Sequence, residues 1–248
     1  MIFGALSNVM SMPLASIGFV FTQSTLSGKV IVVILMAGSV WVWSLMVSKF
    51  KELNIAQRES DRFILKYRGA SHPAALFQDG IMVSGSSPLH EIYNKSCTAL
   101  GASLEAASEN AEDLFTGGAS PRITLSERHI NSVRSAADRT VADQALLLEN
   151  QMGLLATAAS TAPFLGLLGT VWGVMESFGN MASAGPALLS DVAPGISGAL
   201  LTTVVGLVVA LPSSIGYNVL SDRIRRLTVM MDNFAQELVG DLERVHIP

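Results

Sequence analysis

The side chains best suited to chemistry in this chain lie in its least charged stretches. Hydroxyls punctuate two apolar runs: Thr157, Ser160, Thr161 and Thr170 in the first, Ser197, Thr202, Thr203, Ser213 and Ser214 in the second. A hydroxyl both donates and accepts, so it can serve a carboxylate, a protonated acid or a water. In an apolar helix it also bonds its own backbone or holds two helices together, typically for under about 1–2 kcal/mol. Gly166, Gly169 and Gly173 form a small-residue face on the first run, which permits close helix approach. Pro163 and Pro212 each remove a backbone donor and free the carbonyls of Ala159 and Val208. The two runs therefore read either as tightly packed helices or as the lining of a wet path.

Enzyme chemistry is not legible. His72, His90, His129 and His246 lack metal-ligand spacing, and Cys97 is the single thiol, so neither a metal site nor an intrachain disulfide is indicated. The sequence has no Gly-rich phosphate loop, no nucleophile elbow and no cofactor motif. No Asp, Glu, Lys, Arg or His falls near the middle of the apolar runs. Proton coupling ordinarily needs a titratable group inside the membrane, so a partner would have to bring one.

The elements that must carry these side chains follow from composition. Only 15% of the 248 residues are charged, against about 25% in soluble domains. Residues 49–149 hold 24 of the 36 charges, and the net charge of −4 offers no basic patch for nucleic acid. An integral membrane protein is the remaining class, with an all-α fold. About 20 apolar residues cross the hydrocarbon core. Three segments meet that length: a first span over 29–48 stopped by Lys49 and Lys51, a second over 150–176, and a third over 192–221. Eleven Lys and Arg lie between Lys49 and Arg139 and four more follow the third span, whereas Lys29 stands alone on the other side. That asymmetry places the amino terminus outside, with 49–149 and the 222–248 tail in the cytoplasm and 177–191 as a short external loop. Residues 1–28 carry no charge and lack the positive start of a signal peptide. They read as an amphipathic segment along the outer interface, using Ile2, Phe3, Leu6, Met10 and Leu14, with a fourth span as the alternative.

The cytoplasmic part reads as helical. Phe50, Leu53, Ala56, Phe63, Ile64 and Tyr67 carry the first helix beyond the membrane, although Ser60 interrupts the stripe. Ser87 and Pro88 make an N-cap and first helical position. A further helix from about Thr124 runs without a breaker into the second span. Leu220, Ile224, Leu227, Met231, Phe234, Leu238 and Leu242 form a heptad seam, for packing within the chain's own bundle or between neighbouring subunits.

The run from Ala162 to Met175 (Ala-Pro-Phe-Leu-Gly-Leu-Leu-Gly-Thr-Val-Trp-Gly-Val-Met) resembles the second-span motif of the MotA/TolQ/ExbB proton-channel family, TolQ/ExbB branch. The run from Val192 to Leu207 (Val-Ala-Pro-Gly-Ile-Ser-Gly-Ala-Leu-Leu-Thr-Thr-Val-Val-Gly-Leu) resembles its third-span motif, in the right order and with the long cytoplasmic insertion between first and second spans. The resemblance implies a homopentamer of the bacterial inner membrane. Its second and third spans would enclose two copies of an ExbD/TolR-like single-span partner carrying an intramembrane Asp. Proton flow would then do mechanical work on the cell envelope. By position, Thr170 and Thr203 are the threonines facing that Asp, with Ser197 and Thr202 as further pore-lining groups, and Gly166, Gly169, Gly173, Pro163 and Pro194 as packing residues. At about 1.5 Å per residue, Thr170 and Thr203 lie about 10 Å and about 5 Å outward of their spans' middles, at comparable heights on antiparallel neighbours. The family commonly has Glu where this chain has Gly198. A non-conducting scaffold and a flagellar-type stator are the alternatives. A solute transporter is disfavoured because internal repeats and midplane binding chemistry are missing.

Overall fold

The computed structural model describes residues 21–22, 24–70, 72–78, 87–114, 127–184 and 189–246. Among them every regular element is a helix: α1 (Leu26–Arg68), α2 (Ala75–Gln78), α3 (Pro88–Leu114), α4 (Glu127–Glu149), α5 (Met152–Ala184) and α6 (Leu189–His246). The fold class expected from the sequence is thus all-α, with membrane-length apolar stretches within α1, α5 and α6. The chain divides into two compact units, one of residues 1–47 and 151–219, the other of 48–150 and 220–248.

In the first unit helix packing relies on small residues. Thr25 caps α1, its Oγ1 accepting from the Gly28 N–H at 3.3 Å. Leu35, Ala162, Val209 and Ala210 form a small core, with Ile31, Leu165 and Val205 against it. At the α5/α6 crossing the two backbones nearly touch. A Cβ added to Gly166 would meet the Thr202 carbonyl at 2.8 Å, and one on Gly206 would meet the Ala162 carbonyl at 2.7 Å. Glycine is required there because backbone cannot yield as a flexible side chain would. Large apolar residues such as Val40, Phe164, Leu211 and Ile215 point outward. That pattern suits lipid or another membrane helix, since lipid tails give no drive to bury apolar groups.

The second unit is a bundle with a core of large side chains. All seven members of the 220–242 seam are buried, each at 3% exposure or less, and so are Leu53, Phe63, Tyr93 and Val133 of the same unit. Of the two readings of the heptad, packing within the chain's own bundle is the one observed. Phe63 and Tyr67 meet Tyr93 and Phe234 with ring centroids 5.2 to 5.9 Å apart, a range favourable for tilted and edge-to-face pairs. Ser60, the interruption in the α1 stripe, is fully buried instead of facing water. Ser87 does cap α3, its Oγ accepting from the His90 N–H at 3.4 Å. Arg223 stands 4.2 Å from the centroid of the Phe50 ring and also bonds Asn54.

The boundary between α4 and α5 differs from the sequence expectation. The chain does not run as helix from residue 127 into the second span. It breaks at Asn150 and Gln151, with Gln151 at φ 69°. No Gly or Pro stands at the break itself; Asn150, a residue that often follows a helix end, is the local signal for it. The readings made for residues 1–20 and for the start of α4 at Thr124 lie outside the described residues.

Candidate functional site: a hydroxyl cluster at a glycine crossing

The α5/α6 contact brings together three of the four threonine and serine residues expected to matter. Thr170 Oγ1 lies 2.5 Å from Thr203 Oγ1 and 3.3 Å from Thr202 Oγ1. Helix geometry explains this. Thr170 stands one turn beyond Gly166 on α5, and the Gly166 surface is where α6 crosses at Thr202, Thr203 and Gly206. With no Cβ at Gly166 or Gly169, the α6 threonines reach the α5 backbone. The comparable heights expected from rise per residue are realised as direct contact.

The hydroxyls converge on two carbonyls. Thr170, Thr202 and Thr203 each approach the Gly166 carbonyl, at 3.2, 2.9 and 3.1 Å. Thr170 and Thr202 also donate toward the Ala199 carbonyl, at 3.1 and 2.7 Å. Each hydroxyl has one proton and several acceptors in range, so the cluster can exchange donors without moving heavy atoms. Such a cluster can receive a proton from an acid or give a hydrogen bond to a carboxylate. The burial differs within it. Thr202 is fully buried, its Oγ1 filling the place of a Cβ on Gly169, whereas Thr170 and Thr203 are half-buried.

Ser197 is exposed on α6 and does not join these three. Gly166, Gly169 and Gly173 are all buried at the crossing; Pro163 is half-buried within α5 and Pro194 exposed within α6. Gly198 has a physical explanation: a Cβ there would stand 2.5 and 2.6 Å from Ser24 Cβ and Cα. The segment ahead of α1 occupies the space that a side chain at residue 198 would need. Three residues on, Ser27 Oγ donates to Glu176 Oε2 at 2.6 Å. In the sequence, residue 176 is only the last position of the second span. Its rarity was the available signal, since residues 1–47 and 151–219 contain just Lys29, Glu176 and Asp191 as charged side chains.

Membrane-length helices crossing on glycine, with hydroxyls buried at the contact, define a polytopic membrane protein. The sequence profile described as the MotA/TolQ/ExbB proton channel family matches residues 106–233. Relatives agree over most of the chain. The Tol-Pal system protein TolQ of Haemophilus influenzae is 29% identical over 90% of this chain and 92% of its own length. The biopolymer transport protein ExbB of Xanthomonas campestris pv. campestris is 31% identical over 84% of this chain and 78% of its own. TolQ of Pseudomonas aeruginosa is 45% identical over a shorter stretch, 39% of this chain and 42% of its own. The chain belongs to the MotA/TolQ/ExbB proton-channel family, in its TolQ/ExbB branch. It is a multi-pass inner-membrane protein of channel and motor type, and not an enzyme.

Proposed function

We propose that this chain is the pentameric channel subunit of an inner-membrane motor that converts proton-motive force into work on the cell envelope. The observation that carries the reading is the hydroxyl cluster of Thr170, Thr202 and Thr203 at the α5/α6 crossing. Five copies would surround two helices of an ExbD/TolR-like single-span partner, whose intramembrane Asp would titrate against Thr170 and Thr203. Thr202, buried behind them, would support the two hydroxyls from the helix contact, and Ser197 would stand apart on an exposed face of α6. The amino terminus would be outside and the second unit cytoplasmic, as the clustering of Lys and Arg in residues 49–139 and 223–244 supports.

The mechanism follows from the cost of charge in an apolar pore. A bare carboxylate at membrane depth costs several kcal/mol, so the partner's Asp crosses protonated or is solvated by hydroxyls. Thr170 and Thr203 lower that cost on one side of the cycle. In an assembly of five around two, one Asp meets the cluster while the other faces a sealed wall. Protonation and release then bias rotation. Without the partner the pore has no titratable group at mid-depth and is prone to dewetting, so the isolated oligomer conducts poorly.

The same cluster also supports a second reading. Every hydroxyl in it reaches a backbone carbonyl of the neighbouring or own helix, which suits a scaffold that packs helices and conducts nothing. Liposomes holding the chain with its partner separate the two. In the Thr170→Val, Thr203→Val double variant, proton flux should collapse at normal complex abundance. Full flux would assign the hydroxyls to packing. Mass measurement of the purified complex should give five copies of this chain, and a stable monomer or dimer would refute the pentamer.

A further inference from the structure

Three large apolar side chains of the second unit stand in the open near the end of α4. Ile55, Leu146 and Leu147 are 52%, 67% and 60% exposed, although the core of this unit is built of such residues. Leu147 joins two hollows. One, of about 590 Å³, is lined by Asp143, Leu146, Leu147, Glu149 and Asn150. The other, of about 460 Å³, is lined from α1, α3 and α4, with Glu52, Ile55, Glu91 and Leu148 among its walls. Together they form a groove with an apolar floor and a rim of four carboxylates. Glu52 and Glu91 have cations on their own helices, Lys49 at 2.9 Å and Lys95 at 3.8 Å. Among the described residues, Asp143 and Glu149 form no ion pair. Exposed apolar surface inside a polar rim marks an interaction site. An anionic lipid surface is a poor occupant, because it repels carboxylates set beside the leucines.

The complementary face lies on α6 of the same unit. The seam from Leu220 to Leu242 is buried, which leaves Arg225, Arg226 and Val229 exposed on the other side of the helix. Arg226 is paired with Asp222, one turn earlier. Arg225 forms no ion pair among the described residues. Arg225 and Val229 are one turn apart, so this face offers a cation and an apolar contact together.

Depth matches the two patches. Copies of one chain in one bilayer share the same border, so a ring of them brings residues of like depth together. That border falls at residue 150 for the second span and at residue 221 for the third. Measured along each helix, Arg225 and Leu146 both lie about 6 Å beyond it. Glu149 lies at about 1.5 Å and Asp143 at about 10 Å, one on either side of the Arg225 level. Val229 falls at about 12 Å, close to Asp143.

We propose that the groove of Asp143, Leu146, Leu147 and Glu149 in each copy receives the Arg225 and Val229 face of α6 from the next copy. This rests on the pentameric reading above and names the surface that closes the ring. The contact is heterologous: groove and face are different patches, so each copy presents one to either neighbour and rotation closes the set. Arg225 lies between two carboxylates, and Val229 packs against the leucine floor. The apolar contact holds the copies together, while the charges fix their register and exclude a wrong pairing.

The test is cross-linking of the full chain in membranes. A chain carrying both Leu146→Cys and Val229→Cys is treated with a short, flexible bis-maleimide, and the buried Cys97 stays in every variant. The paired variant should give a ladder of cross-linked species up to the whole ring, and each single variant should give none. Adding Arg225→Glu should cut the ladder about tenfold, and further adding Asp143→Arg with Glu149→Arg should restore most of it. Five copies by mass with no ladder from the paired variant overturns this surface and keeps the pentamer. Dimers from either single variant reveal a two-fold contact and overturn it. Cross-linking to the single-span partner in place of a second copy overturns the occupant. An undiminished ladder in the Arg225→Glu chain overturns the charge pairing. A monomer by mass with no ladder overturns both the surface and the pentamer.

Discussion

Helices α1 and α6 each contribute to both compact units, and their packing rules change along their length. In the unit of residues 1–47 and 151–219, contacts are made by glycine, alanine and threonine, and the large apolar side chains face outward. In the unit of residues 48–150 and 220–248, the core is built of large apolar and aromatic side chains such as Phe63, Tyr93, Met231 and Phe234. In water, burying apolar surface is the main favourable term, so big side chains go inside. In lipid that term vanishes between helices, and close backbone approach with hydroxyl bonds takes its place. The hydroxyl cluster exists because of the second rule: Thr170 can touch Thr203 only where Gly166 brings the backbones together.

Substitutions can break this contrast, and the largest effect should come from the glycine crossing. Gly166→Leu forces a side chain into the Thr202 carbonyl, 2.8 Å from where its Cβ would stand. The expected outcome is loss of stable protein from the membrane fraction, and normal abundance would show that the crossing can open. Phe234→Ala probes the other rule. It removes a ring at 1% exposure from the aromatic cluster and should cost about 3–5 kcal/mol, read by chemical denaturation with circular dichroism.

Gly240→Ala sharpens the comparison by reversing the sign. Nothing lies within 4 Å of a Cβ at this helical position, so the change should stabilise by about 0.5–1 kcal/mol through backbone entropy and helix propensity. A destabilisation in denaturant melts would place an unseen neighbour there. The smallest effect belongs to the surface pair of Arg68 and Glu237, whose atoms meet at 2.9 Å on both arms of the guanidinium. The hydrogen bonds from Arg68 hold the Glu237 carboxyl below its ordinary value of 4.5. A carboxyl lowered by folding contributes stability above that ordinary value and loses it as pH falls through the folded one. Arg68→Ala should flatten this acid-side dependence by lowering melting slightly at neutral pH, and leave melting at acid pH, where the carboxyl is protonated, nearly unchanged. An unchanged acid limb would mean that the pair is too solvated to matter.

Tyr67 offers a spectroscopic check on the same bundle. Its hydroxyl donates to Asp241 at 2.9 Å, and burial with that carboxylate beside it pushes the phenol far above its ordinary value of 10. The raised group contributes stability below pH 10 that is lost as pH rises above it. The phenolate absorbance of Tyr67, read against Tyr67→Phe, should therefore emerge only as the bundle unfolds in base. Titration of Tyr67 near its ordinary value in folded protein would contradict the buried pair.

What the sequence by itself determined is what local pattern can encode. Runs of apolar residues marked three membrane-length helices, and the Ser87–Pro88 pair marked the start of α3. The glycines and threonines of α5 and α6 marked two helix faces that can approach closely. Local pattern could not say which hydroxyl is walled in. Thr202 is sealed over Gly169 while Ser197, five residues earlier on α6, is exposed, because the crossing angle decides which side of α6 meets the glycines. Nor could it choose between partners for the 220–242 seam, since a heptad is equally apolar against its own chain or another; burial in this chain made the choice. The turn at Asn150 and Gln151 carried only the weak signal of one Asn inside an otherwise helical run. Most remote of all were Ser24 over Gly198 and Ser27 on Glu176, contacts between segments well over a hundred residues apart. Periodicity reaches one helix at a time, whereas those contacts exist only once three helices have packed.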